Sequence, residues 1–474
     1  MGIELSRERA ADHIHGVCFK TGPPRHVGVE LEWLVHDRNR PHSPVTLERL
    51  DAALAPITEG TTAGGPARAA NGSRHNGVRP GGVRSGDVRS GGGLPHRTAL
   101  TREPGGQLEL SAPPAPDVVA CVATAAEDLD VVRRTLADKG LQLRGYGLDP
   151  FRNPPRVLDH PRYAAMETYL DRIGPWGRMM MRATAAVQVN LDAGTEGAGP
   201  TGYRERWQLV HRLGPVLVAA FANSPLWHGK PTGWRSTRQA AWEHLDPSRT
   251  RPPGPAVNGE RPVGGWHGGP SDEGPDGDPR SAWVRYAMSA GLLCLRRDAP
   301  KDWTSPPGHT FASWLAGRIA ERPPTLDDLD YHLSTLFPPV RPRGYLELRM
   351  IDAQPGDGWI VPALVAATLM DDPAAAQVAW AATEPLCPNG STMPPRTMWT
   401  RAARMGLSAP ELAKAALTCF AAVDSALSRP DVPTALRGAV AAFAQRYPER
   451  GRCPADDLLD DRVARPNRLE GSHR

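Results

Sequence analysis

The sequence predicts an α+β fold in which helices flank an antiparallel β-sheet. Four short segments alternate polar and apolar residues, and this period of two is typical of strands with one wet face and one buried face. Amphipathic or apolar helical segments separate these strands along the chain. The sequence lacks the near-continuous Val/Ile/Leu runs that parallel strands buried on both faces require. Half-polar strands between helices therefore favour the antiparallel α+β class.

Four alternating strands are predicted, at residues 27–35, 107–110, 187–192 and 345–350. Their polar faces bear Glu30, Glu32, Gln107, Glu109, Gln188, Asn190, Asp192, Tyr345, Glu347 and Arg349. If these faces converge, the carboxylates repel one another and their pKa values rise unless cations intervene. Oxygen ligands of this kind suit Mg²⁺ bound together with nucleotide phosphates. An exposed antiparallel sheet alternates in the same way, so a solvent-facing sheet is the alternative.

Helices are predicted before and between these strands. They comprise one near the N-terminus, others at 47–54, 116–139 and 203–222, and a largely helical region from 361 to 447. The helix at 116–139 has an apolar stripe, Pro116 at its start and Gly140 just past its end. A further strand is predicted directly after it, at 141–146.

Two segments interrupt these elements with compositions that cannot support a packed core. Residues 59–98 are rich in Gly, Arg and Ser, and residues 250–281 are rich in Gly and Pro. Such segments bury too little apolar surface to offset the entropy of ordering them, so both are expected to be flexible insertions. The chain is otherwise predicted to form one large domain across 1–450, followed by a loose polar tail at 451–474.

Composition and motifs exclude several classes of function. The formal net charge is only +4, and no basic stripe is interleaved with aromatic residues, which argues against nucleic-acid binding. No Walker-type or dinucleotide-binding glycine motif follows a predicted strand. The lack of a signal core and of an apolar run of about 18 residues predicts a cytoplasmic protein without a membrane span. Six widely spaced cysteines with no C-x-x-C pair are expected to be reduced thiols.

Five longer motifs contain these strands and the segment after the 203–222 helix. They are GVELE (28–32), EPGGQLELS (103–111), MMMRATAAVQVNLD (179–192), FANSPLWHGKPTGWRSTRQAAW (221–242) and LSTLFPPVRPRGYLELRMID (333–352). In this order they resemble the plant and proteobacterial type of glutamate–cysteine ligase over residues 25–375. The family extends to actinobacterial ligases that make γ-glutamylcysteine for ergothioneine. The length and the Ala/Arg bias of this chain are most similar to that branch.

The resemblance implies both a fold and a reaction. The implied fold is glutamine-synthetase-like: a funnel of antiparallel strands whose inner face holds Mg²⁺ and ATP. In the implied reaction, ATP phosphorylates the γ-carboxylate of L-glutamate, and the amine of L-cysteine then displaces phosphate to give γ-glutamylcysteine. The expected partners are therefore the small molecules glutamate, cysteine and ATP, with residues 1–450 as the catalytic ligase domain.

With this resemblance, the glutamates of the polar faces become predicted Mg²⁺ ligands. Phosphoryl transfer between two anions chiefly requires positioning and neutralisation of charge. Glu30 and Glu32 are the leading predicted ligands, and Glu109 and Glu347 occupy equivalent places on their strands. Glu103 precedes a Pro-Gly-Gly turn, and three roles stay open for it: ligating the metal, binding the substrate amine, or shaping the turn.

Arg349 and Glu347 are the predicted catalytic residues, because they share one face of the last strand. Arg349 is expected to meet the transferring phosphate and, together with Gln107, to contact ATP. A purely structural ion pair between Arg349 and Glu347 is the alternative.

Six side chains are predicted to bind the substrates: Arg162, Arg238, Gln188, Asn190, Arg182 and Trp234. The first two are candidates for the glutamate α-carboxylate, since guanidinium groups bind carboxylates through paired hydrogen bonds. The two amides can donate to phosphate or accept from an ammonium group. Arg182 follows three methionines, which are more typical of core packing, and Trp234 suits a pocket wall or the core. Asp192 and the Asn223–Ser224 pair are expected to form turns.

Two other functions stay open at the level of the sequence. One is another ATP-dependent carboxylate–amine ligase of the same fold, because only the acceptor pocket would differ. The other is a non-catalytic sensor of glutamate or nucleotide. The joint presence of the acidic residues and Arg349 argues against a sensor, which needs no full set of metal ligands. The sequence carries no signal for the oligomeric state.

Overall fold

A computed structural model of the chain describes residues 5–58, 93–253, 278–298 and 301–464. Its strands are β1 Val27–Asp37, β2 Ala99–Arg102, β3 Leu108–Ser111, β4 Leu141–Arg144, β5 Ala186–Asp192, β6 Leu226–Trp227, β7 Lys230–Pro231, β8 Val340–Pro342 and β9 Tyr345–Asp352. Seven of these form one sheet with the order β2-β3-β1-β5-β9-β8, and β4 pairs with the second half of β1. All of these pairings are antiparallel, which confirms the predicted α+β class.

Seventeen α-helices surround the sheet within the described residues. They are α1 Arg7–Cys18, α2 Leu47–Thr58, α3 Val118–Ala137, α4 Pro161–Asp171, α5 Trp176–Ala183, α6 Tyr203–Phe221, α7 Thr237–Glu243, α8 Pro247–Thr250, α9 Pro279–Ser289, α10 Phe311–Leu315, α11 Leu326–Leu333, α12 Ile360–Asp371, α13 Pro373–Thr383, α14 Arg396–Met405, α15 Pro410–Ala426, α16 Thr434–Arg446 and α17 Pro454–Ala464. Short 3₁₀ turns lie at Gly356–Trp359, Glu384–Leu386, Pro388–Gly390, Gly406–Ser408 and Pro448–Arg450.

The sheet has one apolar and one polar face, as the period of two predicts. On β1, Val29, Leu31 and Trp33 are buried and belong to the main hydrophobic core, whereas Glu30 and Glu32 are only partly buried. Helices α3, α6 and α12 contact the sheet and contribute to the same core. The apolar face is therefore covered by helices, and the polar face is left for chemistry.

The predicted helices and strands form close to their expected limits. The 116–139 helix is α3, which begins after Asp117, whose side chain accepts a hydrogen bond from the Ala120 N–H at 2.8 Å. The 203–222 helix is α6, and the four alternating strands are β1, β3, β5 and β9. No helix in the described ranges is long and apolar enough to span a bilayer. All six cysteines are described, and each is a buried free thiol.

The limits predicted for the flexible segments are wrong where residues are described. Of the 59–98 segment, residues 59–92 lie outside the described residues, but 93–98 are packed: Leu94 is buried, and Asp128 accepts hydrogen bonds from the N–H groups of His96 and Thr98. Of the 250–281 segment, residues 254–277 lie outside the described residues, while α8 ends at Thr250 and α9 begins at Pro279. The signal missed at α9 is an Asp N-cap followed by proline.

The expected loose tail is also wrong for residues 451–464. These contain α17, and the Ala455 N–H donates to the Ala222 carbonyl at 2.9 Å beside the buried Cys453. Residues 465–474 lie outside the described residues. We propose that the catalytic domain includes residues 451–464, because they pack against the segment that follows α6.

Replacing residues 59–92 by a short Gly/Ser linker is expected to leave the melting temperature within about 3 °C of the wild-type value. The two flanks are already joined, since the Gly93 N–H donates to the Ile57 carbonyl at 3.1 Å. Loop length then contributes only about 0.6 kcal/mol per doubling. The measurement is thermal unfolding together with the Michaelis constant for ATP. A rise of about tenfold in that constant with unchanged stability would instead make the segment part of the site.

Candidate active site

The polar face of the sheet brings together four glutamates from three places in the chain. Strand pairing puts Glu32 of β1 directly opposite Glu109 of β3, and Glu30 lies two residues earlier on β1. Glu103 lies between β2 and β3 and interacts electrostatically with Glu109 and Glu32. The sequence predicted this convergence, and the antiparallel register produces it.

Burial and mutual repulsion raise the pKa values of these four carboxyl groups. The pKa of Glu30 rises to about 7, chiefly through burial and then through the charges of Glu109 and Glu347. Burial is also the largest cause of the raised pKa of Glu109, followed by Glu32. The pKa of Glu103 lies well above its ordinary value for the same reasons, although Arg162 opposes the rise. The polar face therefore favours either protons or a cation.

Two amides on β5 orient the carboxylates of β1. The Asn190 amide donates to Glu30 Oε1 at 3.0 Å, and the Gln188 amide donates to Glu32 Oε1 at 2.8 Å. Gln188 also accepts from Arg349 Nη1 at 2.6 Å, so it joins the acidic and basic parts of the face. The side-chain amide oxygen of Asn190, Oδ1, is buried and lacks a hydrogen-bond partner in the described part of the chain. The substrate-binding roles predicted for both amides stay predictions.

The turn at Glu103 is fixed by close backbone packing. The Gly106 N–H donates to the Glu103 carbonyl at 2.9 Å, and a Cβ on Gly105 would lie 1.9 Å from the Arg182 carbonyl oxygen. Only glycine therefore fits at position 105. The conformation of this turn keeps Glu103 beside the other glutamates, and the three roles predicted for its side chain stay predictions.

Glu347 differs from the other glutamates because three arginines surround its carboxylate. Arg341 donates to it at 2.5 and 3.0 Å, and nitrogens of Arg343 and Arg349 lie 3.4 and 3.3 Å away. These guanidinium groups outweigh burial and hold the pKa of Glu347 well below its usual range. The metal-ligand role predicted for Glu347 requires at least one guanidinium group to move, and it stays a prediction.

Arg341 and Arg343 were missed from the sequence. The signal was the R-P-R-G-Y stretch directly before β9, in which a tight turn folds β8 back onto β9. That hairpin places Arg341 opposite Glu347 in the register. An arginine in a short strand has no pattern of its own, so only the pairing reveals its partner.

Arg349 and Arg238 lie side by side next to the acidic cluster. Arg238 Nη2 donates to the Arg349 carbonyl at 2.7 Å, and the Arg238 guanidinium lies 4.7 Å from the centre of the Trp242 ring. Both guanidinium groups act on the Glu32 carboxylate and oppose the rise that burial causes in its pKa. Within the described residues, Arg349 Nε and both Nε and Nη1 of Arg238 are buried without hydrogen-bond partners.

Arg162 approaches the same region from α4. It donates to the Ser334 hydroxyl at 3.0 Å and to the Ser334 carbonyl at 3.1 Å, and its guanidinium lies 5.2 Å from the centre of the Tyr331 ring. Its Nε is buried and unpartnered among the residues described. Its charge reaches Glu103, which places Arg162 at the edge of the acidic cluster.

Three predicted site residues, Gln107, Arg182 and Trp234, bond to or pack against other parts of the protein. Gln107 is buried, donates to the Thr184 carbonyl at 2.9 Å and accepts from the Gly105 N–H at 2.9 Å, so the predicted ATP contact would require these bonds to break, and it stays a prediction. Arg182 forms an ion pair with Glu167, and its predicted substrate contact would require that pair to open.

Trp234 is the third of these, since it packs against the main hydrophobic core. Core packing was one of its two predicted roles, and the contact with the core favours it. No turn is assigned at Asp192, which is the last residue of β5 and pairs with Tyr345, or at Asn223, which follows α6; both side chains instead hydrogen-bond backbone groups of distant segments.

The donor set suits Mg²⁺ bound together with phosphates. Among the described residues, no three His, Cys, Asp or Glu side chains enclose a metal ion by themselves. Mg²⁺ uses only one or two carboxylates plus water and substrate phosphates, so a protein cage is not required. The raised pKa values of Glu30, Glu32 and Glu109 indicate that a cation would be stabilising there.

Comparison with known proteins identifies the family. The family model described as glutamate–cysteine ligase family 2 matches residues 26–473. The chain belongs to this family. A glutamate–cysteine ligase EgtA of Mycolicibacterium smegmatis is 37% identical over 97% of this chain and 92% of that protein. The EgtA of Mycobacterium tuberculosis is 39% identical over 96% of this chain and 90% of that protein.

The solved structures provide a weaker likeness. The crystal structure of a glutamate–cysteine ligase from Francisella tularensis in complex with AMP has a TM-score of 0.45 and 11% sequence identity, over 96% of this chain and 90% of that chain. Membership of glutamate–cysteine ligase family 2 confirms the resemblance drawn from the five motifs, and this chain is an enzyme of that ligase type.

In EDTA, the stability of the wild type relative to that of Glu30→Gln is expected to fall as pH rises from about 5 to about 8. The folded-state pKa of Glu30 is about 7, above its ordinary value of 4.5, so its stabilising contribution is complete below about 4.5 and is lost as pH rises through about 7. The measurement is the melting temperature against pH, and Mg²⁺ should restore more stability at the higher pH. Glu30→Gln should flatten the profile; an identical slope in the variant would contradict this assignment.

Proposed function

We propose that this chain joins the γ-carboxylate of L-glutamate to the amine of L-cysteine, with ATP forming a γ-glutamyl phosphate intermediate. The product is γ-glutamylcysteine, and the likeness to the mycobacterial EgtA ligases favours its use in ergothioneine synthesis. The observation that carries the proposal is the acidic cluster beside Arg349 and Arg238, whose guanidinium groups keep buried nitrogens without hydrogen-bond partners in the described residues. The substrates of the proposed reaction are small molecules, and formation of the amide bond consumes ATP.

Glu30, Glu32, Glu109 and Glu103 are the residues we assign to Mg²⁺. When bound there, Mg²⁺ would neutralise the phosphates of ATP and the acidic cluster together. The amides of Asn190 and Gln188 hold the carboxylates of β1 in place, so these side chains need to move little when Mg²⁺ binds. Glu347 contributes either as a further ligand or by holding its three arginines.

Arg349 is assigned to the phosphoryl group in transfer. Glu347 and Gln188 hold one end of its guanidinium, which leaves the buried Nε without a partner among the described residues. A positioned cation in a water-poor site stabilises charge that develops in the transition state more strongly than one in water. In this scheme Arg349 neutralises charge on the phosphate next to the acidic cluster.

Arg238 is assigned to the α-carboxylate of glutamate. It has two guanidinium nitrogens without hydrogen-bond partners in the described ranges, whereas Arg162 has one. Both nitrogens of Arg238 are buried close to Arg349, which suits a substrate whose other end receives phosphate. Arg162, at the opposite edge of the acidic cluster, is the remaining candidate for a substrate carboxylate.

Purified protein with ATP, Mg²⁺, L-glutamate and L-cysteine is expected to release ADP and phosphate and to form γ-glutamylcysteine. The physical reason is that the amine must displace phosphate from an activated carboxylate, so ADP release should require the acceptor for turnover. Coupled ADP detection and mass spectrometry of the product provide the measurement. Equal turnover without cysteine, or a preference for ammonia, would contradict the assignment and point to another carboxylate–amine ligase.

Glu30→Gln and Glu32→Gln are each expected to lower kcat by about 10²-fold and to raise the Mg²⁺ concentration needed for half-maximal rate. These changes remove charge while keeping shape, so both variants are expected to fold. Glu321→Gln is the matched control, since Glu321 pairs with Arg297 at 2.7 Å outside the site. Unchanged rates in both site variants would mean that the acidic face is only structural.

Glu347→Gln separates the two roles left open for Glu347. If Glu347 ligates the metal, the variant should require more Mg²⁺ for half-maximal rate. If it instead holds Arg349 and Arg341, kcat should fall by about 10²-fold with an unchanged Mg²⁺ requirement. Steady-state kinetics across a Mg²⁺ titration distinguishes these outcomes, and native kcat with a native Mg²⁺ requirement would exclude both.

A further inference from the structure

Asp352, the last residue of β9, is a buried carboxylate that the proposed chemistry does not use. Its side chain is 1% exposed, and each oxygen has its own partners. Oδ2 accepts from the Asn223 N–H at 2.9 Å and from the Ser224 hydroxyl at 2.7 Å. Oδ1 accepts from the Ser236 hydroxyl at 3.0 Å and lies 3.8 Å from Arg238 Nη1.

These partners are the two ends of one segment. Residues 223–238 leave the end of α6, form the β6–β7 hairpin and return to begin α7. The backbones of the two ends also bond to each other. The Ser224 N–H donates to the Arg235 carbonyl at 3.1 Å, and the Ser224 carbonyl accepts from the Thr237 N–H at 3.0 Å. The Arg238 N–H completes this closure by donating to the Ser224 hydroxyl at 3.2 Å. Asp352 therefore fastens both ends of a closed segment to the end of β9.

The same strand fixes the start of α7 through its backbone. Arg238 Nη2 donates to the Arg349 carbonyl at 2.7 Å, and Gln239 donates to the Met350 carbonyl at 2.8 Å. Gly147 packs tightly against the Asp352 carboxylate. A side chain at position 147 would not fit, because its Cβ would lie 2.3 Å from Asp352 Cγ. Burial raises the pKa of Asp352, and the positive charge of Arg238 is the largest opposing influence.

We propose that Asp352 is the positioning residue of Arg238, and that it sets the distance between the guanidinium that holds the glutamate α-carboxylate and the strand that carries Arg349. This inference rests on the proposed function. Asp352 touches neither substrate nor phosphate in this scheme and acts through Arg238 and the ends of the segment that leads to it. If the group that holds a substrate is displaced, its contacts weaken, and a higher concentration of that substrate is needed for turnover.

Asp352→Asn tests the proposal because it keeps the shape and one acceptor oxygen while removing the charge. The expected result is a rise of about tenfold or more in the Michaelis constant for glutamate, with the constant for ATP within about twofold of wild type. Asp128→Asn is the matched control: Asp128 is equally buried and holds two backbone N–H groups, but it lies on α3, behind the apolar face. It should lower the melting temperature and leave the glutamate constant unchanged.

A double-mutant cycle distinguishes positioning from a general loss of packing. In the background of Arg238→Gln, adding Asp352→Asn should change the glutamate constant by less than about twofold. Independent, multiplicative effects of the two substitutions would overturn the inference, as would a glutamate constant in Asp352→Asn equal to that of Asp128→Asn. If Asp352→Asn does not fold, Ser236→Ala, which removes one donor from Oδ1, is measured in the same cycle with the same criteria.

Different results would contradict the proposed function and the role of Asp352. A folded wild-type protein that makes no γ-glutamyl product would remove the proposed function. An active wild type in which Asp352→Asn and Ser236→Ala leave the glutamate constant unchanged would remove only the role of Asp352.

Discussion

The repulsion among partly buried carboxylates on the polar face of the sheet is the constraint on which the rest of the site depends. A pleated antiparallel sheet forces alternate residues of neighbouring strands onto the same face, so Glu32 and Glu109 cannot avoid each other once β1 and β3 pair. Such a face is stable only if its charges are protonated or neutralised. The amides of β5 and the nearby guanidinium groups reduce this repulsion in part. The negative charge that they leave uncompensated favours binding of a cation together with its phosphates.

The polar face is divided into an acidic and a basic part. In the acidic part, burial and repulsion raise pKa values, as at Glu30, whereas three arginines depress the pKa of Glu347 in the basic part. Gln188 connects the two by donating to Glu32 and accepting from Arg349. A reaction that moves a phosphoryl group from one anion to another requires positive charge on both sides of the moving group. In the proposed scheme, a cation at the acidic part and the fixed arginines of the basic part would provide it.

The sequence allowed much of the fold and part of the site to be predicted. Period-two alternation identified the four principal strands, and with them Glu30, Glu32, Glu109, Glu347 and Arg349, because a strand's pattern is local. Gln107 shares that alternation, yet its amide bonds to backbone groups near residue 184, which no local pattern reveals. Arg341 was missed for the converse reason, since its role depends on a hairpin register. The 451–464 segment was misjudged because its polar composition conceals the contacts of Cys453 and Ala455.

Those C-terminal contacts also show why so large a helical region accompanies a small sheet. The segment that carries Arg238 is braced on the side away from β9: the Arg235 and Ser236 N–H groups donate to the Ala403 carbonyl at 3.0 and 2.8 Å, and Arg235 pairs with Asp456 at 2.7 Å. Helices α14 and α17 therefore complete the support that Asp352 begins at the strand end. If Arg238 binds the glutamate α-carboxylate as we propose, a free loop could not hold its guanidinium precisely enough, because productive binding depends on accurate placement. The C-terminal helices thus contribute to the site through the backbone they immobilise.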